Sequence, residues 1–126
     1  MSKILIVEDD KFLRELIKRK VTSEGFEAID AVDGEKGLQS ARSYKPDLIL
    51  LDLMLPGIDG FEVLKKIKQD ESISSTPVII LSNLGQRDDI EKGLKIGAAD
   101  YLVKAHFTPN EIIEKIREVL KNSVSK

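Results

Sequence analysis

Acidic side chains directly follow two short apolar runs of the chain. Glu8, Asp9 and Asp10 follow the first run, and Asp52 follows the second. Adjacent carboxylates repel one another, so a bound cation would stabilise a group of them. Oxygen ligands of this kind favour Mg²⁺ or Ca²⁺, and Mg²⁺ commonly combines one or two carboxylates with waters and a phosphate oxygen. The sequence therefore predicts a divalent-cation site if the fold brings these acids together.

Two other polar side chains end apolar segments and could act on a phosphoryl group. Ser82 offers a hydroxyl donor and Lys104 a positive charge, and both kinds of group stabilise charge on a phosphoryl group in transfer. A carboxylate can itself be the nucleophile, and Asp52 is the candidate. Each residue alone has a plainer interpretation, Ser82 as a turn residue and Lys104 as a solvated side chain. The prediction therefore depends on where the fold places them.

Three unbroken apolar runs are typical of strands that are buried on both faces. These runs are Ile4–Val7, Leu48–Leu51 and Val78–Leu81. Two weaker strands are predicted at about 26–31 and 101–103. Their spacing leaves room for one helix after each strand, so the pattern indicates five strands that alternate with five helices.

The helices are predicted from apolar spacing and from their capping residues. The first follows the cap candidate Asp10, is expected to bury Leu13, Leu16, Ile17 and Val21, and stops at Gly25. The second helix starts at Asp33 and runs toward Tyr44. In the third helix, Phe61, Leu64 and Ile67 recur at helical spacing after Gly60. The fourth is weak, because Gly93 lies between Ile90 and Leu94, and Gly97 ends it. The last has the capping box Thr108, Pro109 and Glu111, and a buried face of Ile112, Ile113, Ile116, Val119 and Leu120.

This alternation predicts a parallel sheet with helices on both faces. We expect a flavodoxin-like (βα)5 three-layer sandwich, α/β in class, with strand order 2-1-3-4-5. In that order the first and third strands are neighbours, and ligands bind beyond the carboxyl ends of the strands where the chain reverses direction. The acids, Ser82 and Lys104 would then converge on one crevice.

Composition limits the class of protein further. The chain has 126 residues, a formal charge of -2 and no cysteine, so one domain is expected and thiolate chemistry is excluded. The charge gives no reason to expect direct nucleic-acid binding. The first apolar run is too short for a signal peptide or a membrane span, so we expect a cytoplasmic protein with no membrane contact. Residues 1–122 are predicted to form the domain, and residues 123–126 a polar tail.

Four segments of the chain resemble the receiver domain of bacterial two-component response regulators, including the single-domain chemotaxis type. They run from Ile4 to Asp10, from Pro46 to Gly60, from Pro77 to Ser82 and from Gly97 to Lys104. The resemblance covers nearly the whole chain, from about residue 3 to residue 120. All four segments occur in the family's order and at suitable intervals.

The resemblance implies a role for each candidate site residue. Asp52 matches the phosphoacceptor and also binds metal, Asp9 matches the direct metal ligand, and Glu8 matches an acid that acts through water. Met54 matches the position whose backbone carbonyl binds the metal. Ser82 and Lys104 match the hydroxyl and the lysine that contact the phosphoryl group, with Asn83 beside them, and Tyr101 matches the aromatic switch. Asp59 matches the cap of the third helix.

The function implied by the resemblance is that of a phosphoacceptor signalling domain rather than an enzyme. A sensor histidine kinase or a phosphotransfer protein would phosphorylate Asp52 with Mg²⁺, for which Mn²⁺ could substitute. The added charge would then change the surface of helix 4, strand 5 and helix 5, which controls a downstream protein partner. The same surface would allow a monomer or a weak homodimer.

The chain departs from the family pattern at several positions. Ala105 follows Lys104, where the family usually has proline, and one extra residue precedes Phe107. We expect a trans bond before Ala105, because a cis bond there would cost about 3 kcal/mol.

Asn83 replaces a common alanine and could restrict access to the site. Met54 and Leu84 lack polar groups that could orient an attacking water, which predicts slow loss of the phosphoryl group. His106 has no second histidine or cysteine and is expected to be an exposed loop residue.

Three other functions fit the same fold class, because fold alone does not fix function. A flavodoxin-like cofactor-binding protein or enzyme would need a glycine- or hydroxyl-rich phosphate loop after strand 1, where this chain has three acids. A hydrolase with an aspartate nucleophile would need a second acid two residues after Asp52, where Met54 stands. A receiver-like interaction module that is never phosphorylated would not need the acids, Ser82 and Lys104.

Overall fold

Five strands alternate with five helices in the computed structural model, which describes residues 1–124 and the side chains of residues 1–122. The strands are β1 (Lys3–Val7), β2 (Glu27–Ala31), β3 (Leu48–Leu51), β4 (Val78–Ser82) and β5 (Asp100–Val103). The helices are α1 (Lys11–Ser23), α2 (Gly34–Tyr44), α3 (Gly60–Gln69), α4 (Arg87–Ile96) and α5 (Pro109–Val124). A short 3₁₀ turn, Lys104–His106, connects β5 to α5.

The five strands form one parallel sheet in the order β2-β1-β3-β4-β5. The predicted flavodoxin-like fold and its strand order are therefore confirmed. Val7 at the end of β1 lies beside Leu51 at the end of β3. The amide of Asp52 donates to the carbonyl of Val7 at 3.0 Å, so the acids that follow these two strands emerge side by side.

The core lies on both faces of the sheet, which explains the unbroken apolar runs. Side chains alternate between the faces of a strand, and here each face is covered by helices. Leu5, Val7, Ile49 and Leu51 pack toward α2, α3 and α4. Ile4, Ile6, Leu48 and Leu50 pack toward α1 and α5. Because neither face of the central strands meets water, no polar residue interrupts them until the strands end at the functional edge.

Aspartate side chains cap three of the helices and so fix where each begins. Asp10, Asp33 and Asp59 each accept a hydrogen bond from the amide three residues on, at 3.1, 2.8 and 3.1 Å. Thr108 and Glu111 form a reciprocal capping box on α5. Caps of this kind contribute about 1 kcal/mol each, and the predicted helix starts agree with them.

The structure differs from the sequence predictions on the buried face of α1. Leu16 is 41% exposed, so the prediction that it belongs to the buried face of α1 is wrong. That face is centred on Arg14, Ile17 and Val21, and Leu16 is displaced by about 100° around the helix axis from its neighbour in sequence. Ser82 is the last residue of β4, which agrees with its predicted place at the end of this strand.

The segment after Lys104 has the expected peptide geometry, since no cis peptide bond occurs among the described residues. His106 is exposed, as predicted. Of the predicted tail, residues 123 and 124 are the last two of α5, and residues 125–126 lie outside the described part of the chain. No helix among the described residues is long and apolar enough to cross a bilayer.

Gly60 is required by close approach to the chain after β3. A Cβ atom at this position would collide with the Cα of Leu53 and lie 2.5 Å from the carbonyl oxygen of Asp52. Main-chain atoms cannot rotate away, so we expect Gly60→Ala to lower the free energy of unfolding by about 2 kcal/mol through overpacking. Denaturant unfolding followed by circular dichroism measures this.

Gly85 offers a matched control near the same edge of the sheet. A Cβ atom there would meet the side chain of Val103 at 3.4 Å and the carbonyl oxygen of Asn83 at 4.0 Å, both ordinary contact distances. Gly85→Ala is therefore expected to change stability by less than about 0.5 kcal/mol. Equal stability of the two variants would contradict the steric argument for Gly60.

Candidate functional site

Three carboxylates meet at the carboxyl edge of the sheet, where β1 and β3 end. Glu8, Asp9 and Asp52 each offer one oxygen, and these oxygens all lie within 4.8 Å of one another. Glu8 and Asp52 are buried, at 3% and 4% exposure, whereas Asp9 is exposed. The cluster is therefore open to solvent at Asp9 and closed at Glu8 and Asp52.

Lys104 supplies the only cation within ion-pair distance of this cluster among the described residues. Its Nζ lies 2.7 Å from Glu8 Oε1 and 3.1 Å from Asp52 Oδ2. Burial opposes the charged ammonium, but the bonds to the two carboxylates outweigh it, so the pKa of Lys104 lies above its ordinary value of 10.5. The lysine is therefore protonated at neutral pH and links the ends of β1, β3 and β5.

Glu8 holds its charge less readily than an ordinary glutamate. Burial raises its pKa from 4.5 to about 6, and the charge of Asp52 adds to the increase, while the hydrogen bonds from Lys104 and the amide of Asp10 act in the opposite direction. The amide of Asp10 donates to Glu8 Oε2 at 3.1 Å. The site thus carries more negative charge than its own cation neutralises.

The donor set fits a hard divalent cation. Three carboxylates face a single ammonium, and oxygen ligands with one open side suit Mg²⁺, which keeps several waters. The carboxylates of Glu8, Asp9 and Asp52 are the side chains that would hold it. A bound Mg²⁺ would polarise a phosphoryl oxygen and neutralise its charge.

The raised pKa of Glu8 predicts a pH dependence of stability. Its folded-state value of about 6 exceeds the ordinary value of 4.5, so protonated Glu8 stabilises the metal-free fold below pH 4.5. That contribution, about 2 kcal/mol, is lost as the pH rises through about 6. We expect Glu8→Gln to remove this pH-dependent part, measured as the difference between the unfolding free energies of wild type and variant from pH 4 to pH 8. A difference that does not vary with pH would contradict the expectation.

The remaining candidate residues lie along the ends of β4 and β5. Ser82 is fully buried, and its Oγ accepts a hydrogen bond from the amide of Leu84 at 3.3 Å. Tyr101 is 8% exposed, and its hydroxyl donates to the carbonyl of the same Leu84. Burial, with the charges of Asp89 and Asp52, raises the pKa of Tyr101 to about 12, so the phenol keeps its proton. One residue of the β4–α4 loop thus contacts both side chains.

The ring of Tyr101 lies inward, against α4. Gly93 leaves the space it occupies, since a Cβ atom there would come within 2.6 Å of Ile80 Cδ1 and 3.1 Å of the ring. The glycine that makes α4 a weak helix in sequence is therefore a packing requirement in the fold. Asn83, next to Ser82, is exposed at the start of the loop.

Met54 differs from the other predicted ligands because only its main chain faces the acids. Its amide donates to Asp52 Oδ1 at 3.2 Å, and the residue as a whole is 57% exposed. Each oxygen of Asp52 thus has a donor, the amide of Met54 on one and Lys104 on the other. The carboxylate is fixed in one orientation.

Sequence reasoning missed Arg14 and Asp30. Arg14 is 8% exposed, and its Nη1 donates to the carbonyls of Glu8 at 2.9 Å and Asp9 at 3.3 Å. Its Nε donates to Asp30 Oδ2 at 3.3 Å. The signal was available in the sequence, because Arg14 lies three residues before Ile17 on the buried face of α1 and a buried arginine needs partners.

Comparison with known proteins identifies a family for the chain. The family model of the response regulator receiver domain matches residues 4–117. The DNA-binding dual master transcriptional regulator RpaA of Synechocystis sp. is 40% identical over 98% of this chain and 51% of its own length. The response regulator ArlR of Staphylococcus aureus is 40% identical over the whole chain and 56% of its length. The chain therefore spans about half the length of these relatives.

Solved structures agree with this result. The receiver domain of Francisella response regulator 1452 has a TM-score of 0.91 and 34% sequence identity, over 98% of this chain and 99% of that chain. The predicted resemblance is therefore confirmed. The expected absence of nucleic-acid binding gains no support, because one relative is named as a DNA-binding regulator.

Proposed function

Because the chain belongs to the response regulator receiver domain family, we propose that it accepts a phosphoryl group on Asp52 from a sensor histidine kinase or a phosphotransfer protein. The observation that carries the proposal is the meeting of Glu8, Asp9 and Asp52 within 4.8 Å, with Lys104 bonded to two of them. A carboxylate that accepts a phosphoryl group needs negative neighbours to hold the cation and a positive neighbour to neutralise the charge of the incoming group.

Asp52 is suited to the role of nucleophile by its position and its bonds. One carboxylate oxygen forms the new O–P bond as the bond between phosphorus and the donor's nitrogen breaks, and that nitrogen leaves with its electron pair. The amide of Met54 and Nζ of Lys104 hold the carboxylate in place. Asp9 and Glu8 would hold Mg²⁺, and Lys104 and the hydroxyl of Ser82 would donate to phosphoryl oxygens.

The proposed output is a change at the surface of α4, β5 and α5. Leu84 connects Ser82, beside the acidic cluster, to Tyr101, since its amide donates to the Ser82 hydroxyl and its carbonyl accepts from the Tyr101 hydroxyl. A Ser82 hydroxyl that turns toward a phosphoryl group would release the amide of Leu84 and alter the loop that holds Tyr101 against α4. We propose that a protein partner, or a second copy in a weak homodimer, recognises this surface.

The rival functions have less support. A cofactor-binding protein needs a glycine- or hydroxyl-rich phosphate loop after the first strand, whereas Glu8, Asp9 and Asp10 follow β1 in this chain. A hydrolase needs a group that orients water near Asp52, and Met54 provides only a thioether side chain, which points largely to solvent. An unphosphorylated interaction module would not need a buried carboxylate pair bridged by lysine.

The test is the intact mass of the protein after incubation with a small-molecule phosphodonor. With Mg²⁺ we expect a gain of one phosphoryl group, which peptide fragmentation places on Asp52, and with a chelator we expect no gain. Mn²⁺ is expected to replace Mg²⁺. Failure of the wild-type protein to take up a phosphoryl group, despite measured Mg²⁺ binding, would favour the interaction module.

The phosphoryl group is expected to be lost slowly. Water would have to approach the phosphorus past Met54 and Leu84, whose apolar side chains could not orient it, and the exposed Asn83 would narrow the approach. We expect the phosphorylated protein to persist well beyond seconds at neutral pH in Mg²⁺, measured by the decay of its intact mass after removal of the donor. Self-dephosphorylation within seconds would contradict this expectation.

A further inference from the structure

Arg14 is a buried cation that phosphoryl transfer to Asp52 does not use. Two of its three hydrogen bonds go to main-chain carbonyls, those of Glu8 and Asp9. The third goes to the carboxylate of Asp30, in β2. Buried arginines are usually explained by a carboxylate or a phosphate, but here the guanidinium mainly binds the backbone of the two acids that face the cation site.

The backbone of this segment determines where its carboxylates point. Glu8 and Asp9 lie between the end of β1 and the cap of α1, where regular structure does not hold the chain. The amide of Glu8 donates to the carbonyl of Ala31 at 3.1 Å, which fixes one side. The carbonyls on the other side have Arg14 as their described partner, so without it the Glu8 carbonyl would be buried and unpaired.

We propose that Arg14 is a positioning residue that holds the Glu8–Asp9 backbone in the geometry needed to bind the divalent cation, with Asp30 orienting its guanidinium. The proposal rests on the proposed function only for the identity of the cation, Mg²⁺. The planar guanidinium reaches both carbonyls and Asp30 at once, which a lysine ammonium on a flexible stem cannot do. Because Asp30 balances its charge, Arg14 can lie behind the acids without strongly repelling the cation.

The experiment measures Mg²⁺ binding to the metal-free protein by calorimetry and the hydrogen exchange of the amides of residues 8–10. Loss of groups that orient metal ligands typically weakens metal binding 10- to 100-fold. We expect Arg14→Met to bind Mg²⁺ about tenfold more weakly and to exchange these amides faster. Arg14→Lys should recover little of the affinity. Saturating Mg²⁺ should restore phosphorylation to nearly the wild-type rate, because the reacting groups remain.

Arg117→Met is the matched control. Arg117 also binds a carboxylate and a backbone carbonyl, both of Glu24, but far from the site. The Arg117→Met substitution should leave the affinity for Mg²⁺ unchanged. Arg14→Met with wild-type affinity and wild-type exchange at residues 8–10 would overturn the proposal, whatever its stability, and so would full recovery by Arg14→Lys.

Asp30→Asn provides a second variant if Arg14→Met does not fold. It keeps the guanidinium and an oxygen acceptor but removes the balancing charge, so a smaller loss of Mg²⁺ affinity is expected, and unchanged affinity would overturn the proposal. The test of Arg14 can be interpreted separately from the test of phosphoryl acceptance. A wild-type protein that binds Mg²⁺ but takes up no phosphoryl group would refute phosphoryl acceptance while the comparison of Arg14 variants still stands.

Discussion

Asp52→Asn is expected to abolish phosphoryl uptake completely. The amide that replaces the carboxylate is not a nucleophile and carries no charge for the cation, so both the new O–P bond and one metal ligand are lost. The fold should be retained, because asparagine keeps an oxygen that can accept from the amide of Met54 or from Lys104. Intact mass after incubation with donor and Mg²⁺ measures the loss, and far-UV circular dichroism verifies the fold.

The same variant should change the titration of Glu8 in a predictable direction. The charge of Asp52 is one cause of the raised pKa of Glu8, so its removal should move that pKa back toward 4.5. Carboxyl ¹³C shifts followed against pH measure this. An unchanged Glu8 titration would mean that the charge of Asp52 does not contribute to the raised pKa.

Asp59→Asn is the control that tests whether the loss of another nearby carboxylate also abolishes phosphoryl uptake. Asp59 caps α3 through its Oδ1, and asparagine caps a helix about equally well. This variant should take up a phosphoryl group as the wild-type protein does. Continued phosphorylation of Asp52→Asn, by contrast, would mean that another group is the acceptor, and Asp52 would be only a metal ligand.

The fold could be predicted almost entirely from the sequence, because its signals are local and repeated. The central strands are buried on both faces and so appear as unbroken apolar runs. The starts of α1, α2 and α3 are marked by aspartates and that of α5 by the capping box at Thr108, and each of these residues makes the predicted bond. Once the strand order was fixed, the convergence of Glu8, Asp52 and Lys104 followed from topology alone.

What the sequence could not supply are contacts made by side chains that cross between elements. The bond of Lys104 to Glu8, rather than to Asp52 alone, depends on the depth to which each side chain is buried. The burial of Arg14 could be inferred from its place on α1, but two of its three bonds go to backbone carbonyls, and no residue type marks a carbonyl that needs a donor. The inward ring of Tyr101 likewise depends on the space left by Gly93 on a different element.

The second large effect is expected for Lys104→Met in the metal-free protein. The substitution leaves Glu8 and Asp52, whose side chains are only 4% and 5% exposed, without their ammonium partner. Removing one member of a buried ion pair costs several kcal/mol, because a buried charge is then uncompensated. Protonation of Glu8 limits the loss, so we expect about 3 kcal/mol at pH 7.5, and less near pH 5. Denaturant unfolding in the presence of a chelator measures it.

Lys115→Met is the control, since Lys115 pairs with Asp100 and Glu118 at 3.8 and 3.9 Å on the surface, where such pairs contribute at most about 1 kcal/mol. If the Lys104 effect is electrostatic, Mg²⁺ should replace the missing charge and stabilise Lys104→Met more than wild type. A loss that Mg²⁺ does not reduce would instead indicate that the lysine acts by packing. Mg²⁺ rescue of stability would separate the two roles of Lys104, because any remaining defect in the phosphorylated protein would then arise from the lost contact with the phosphoryl group.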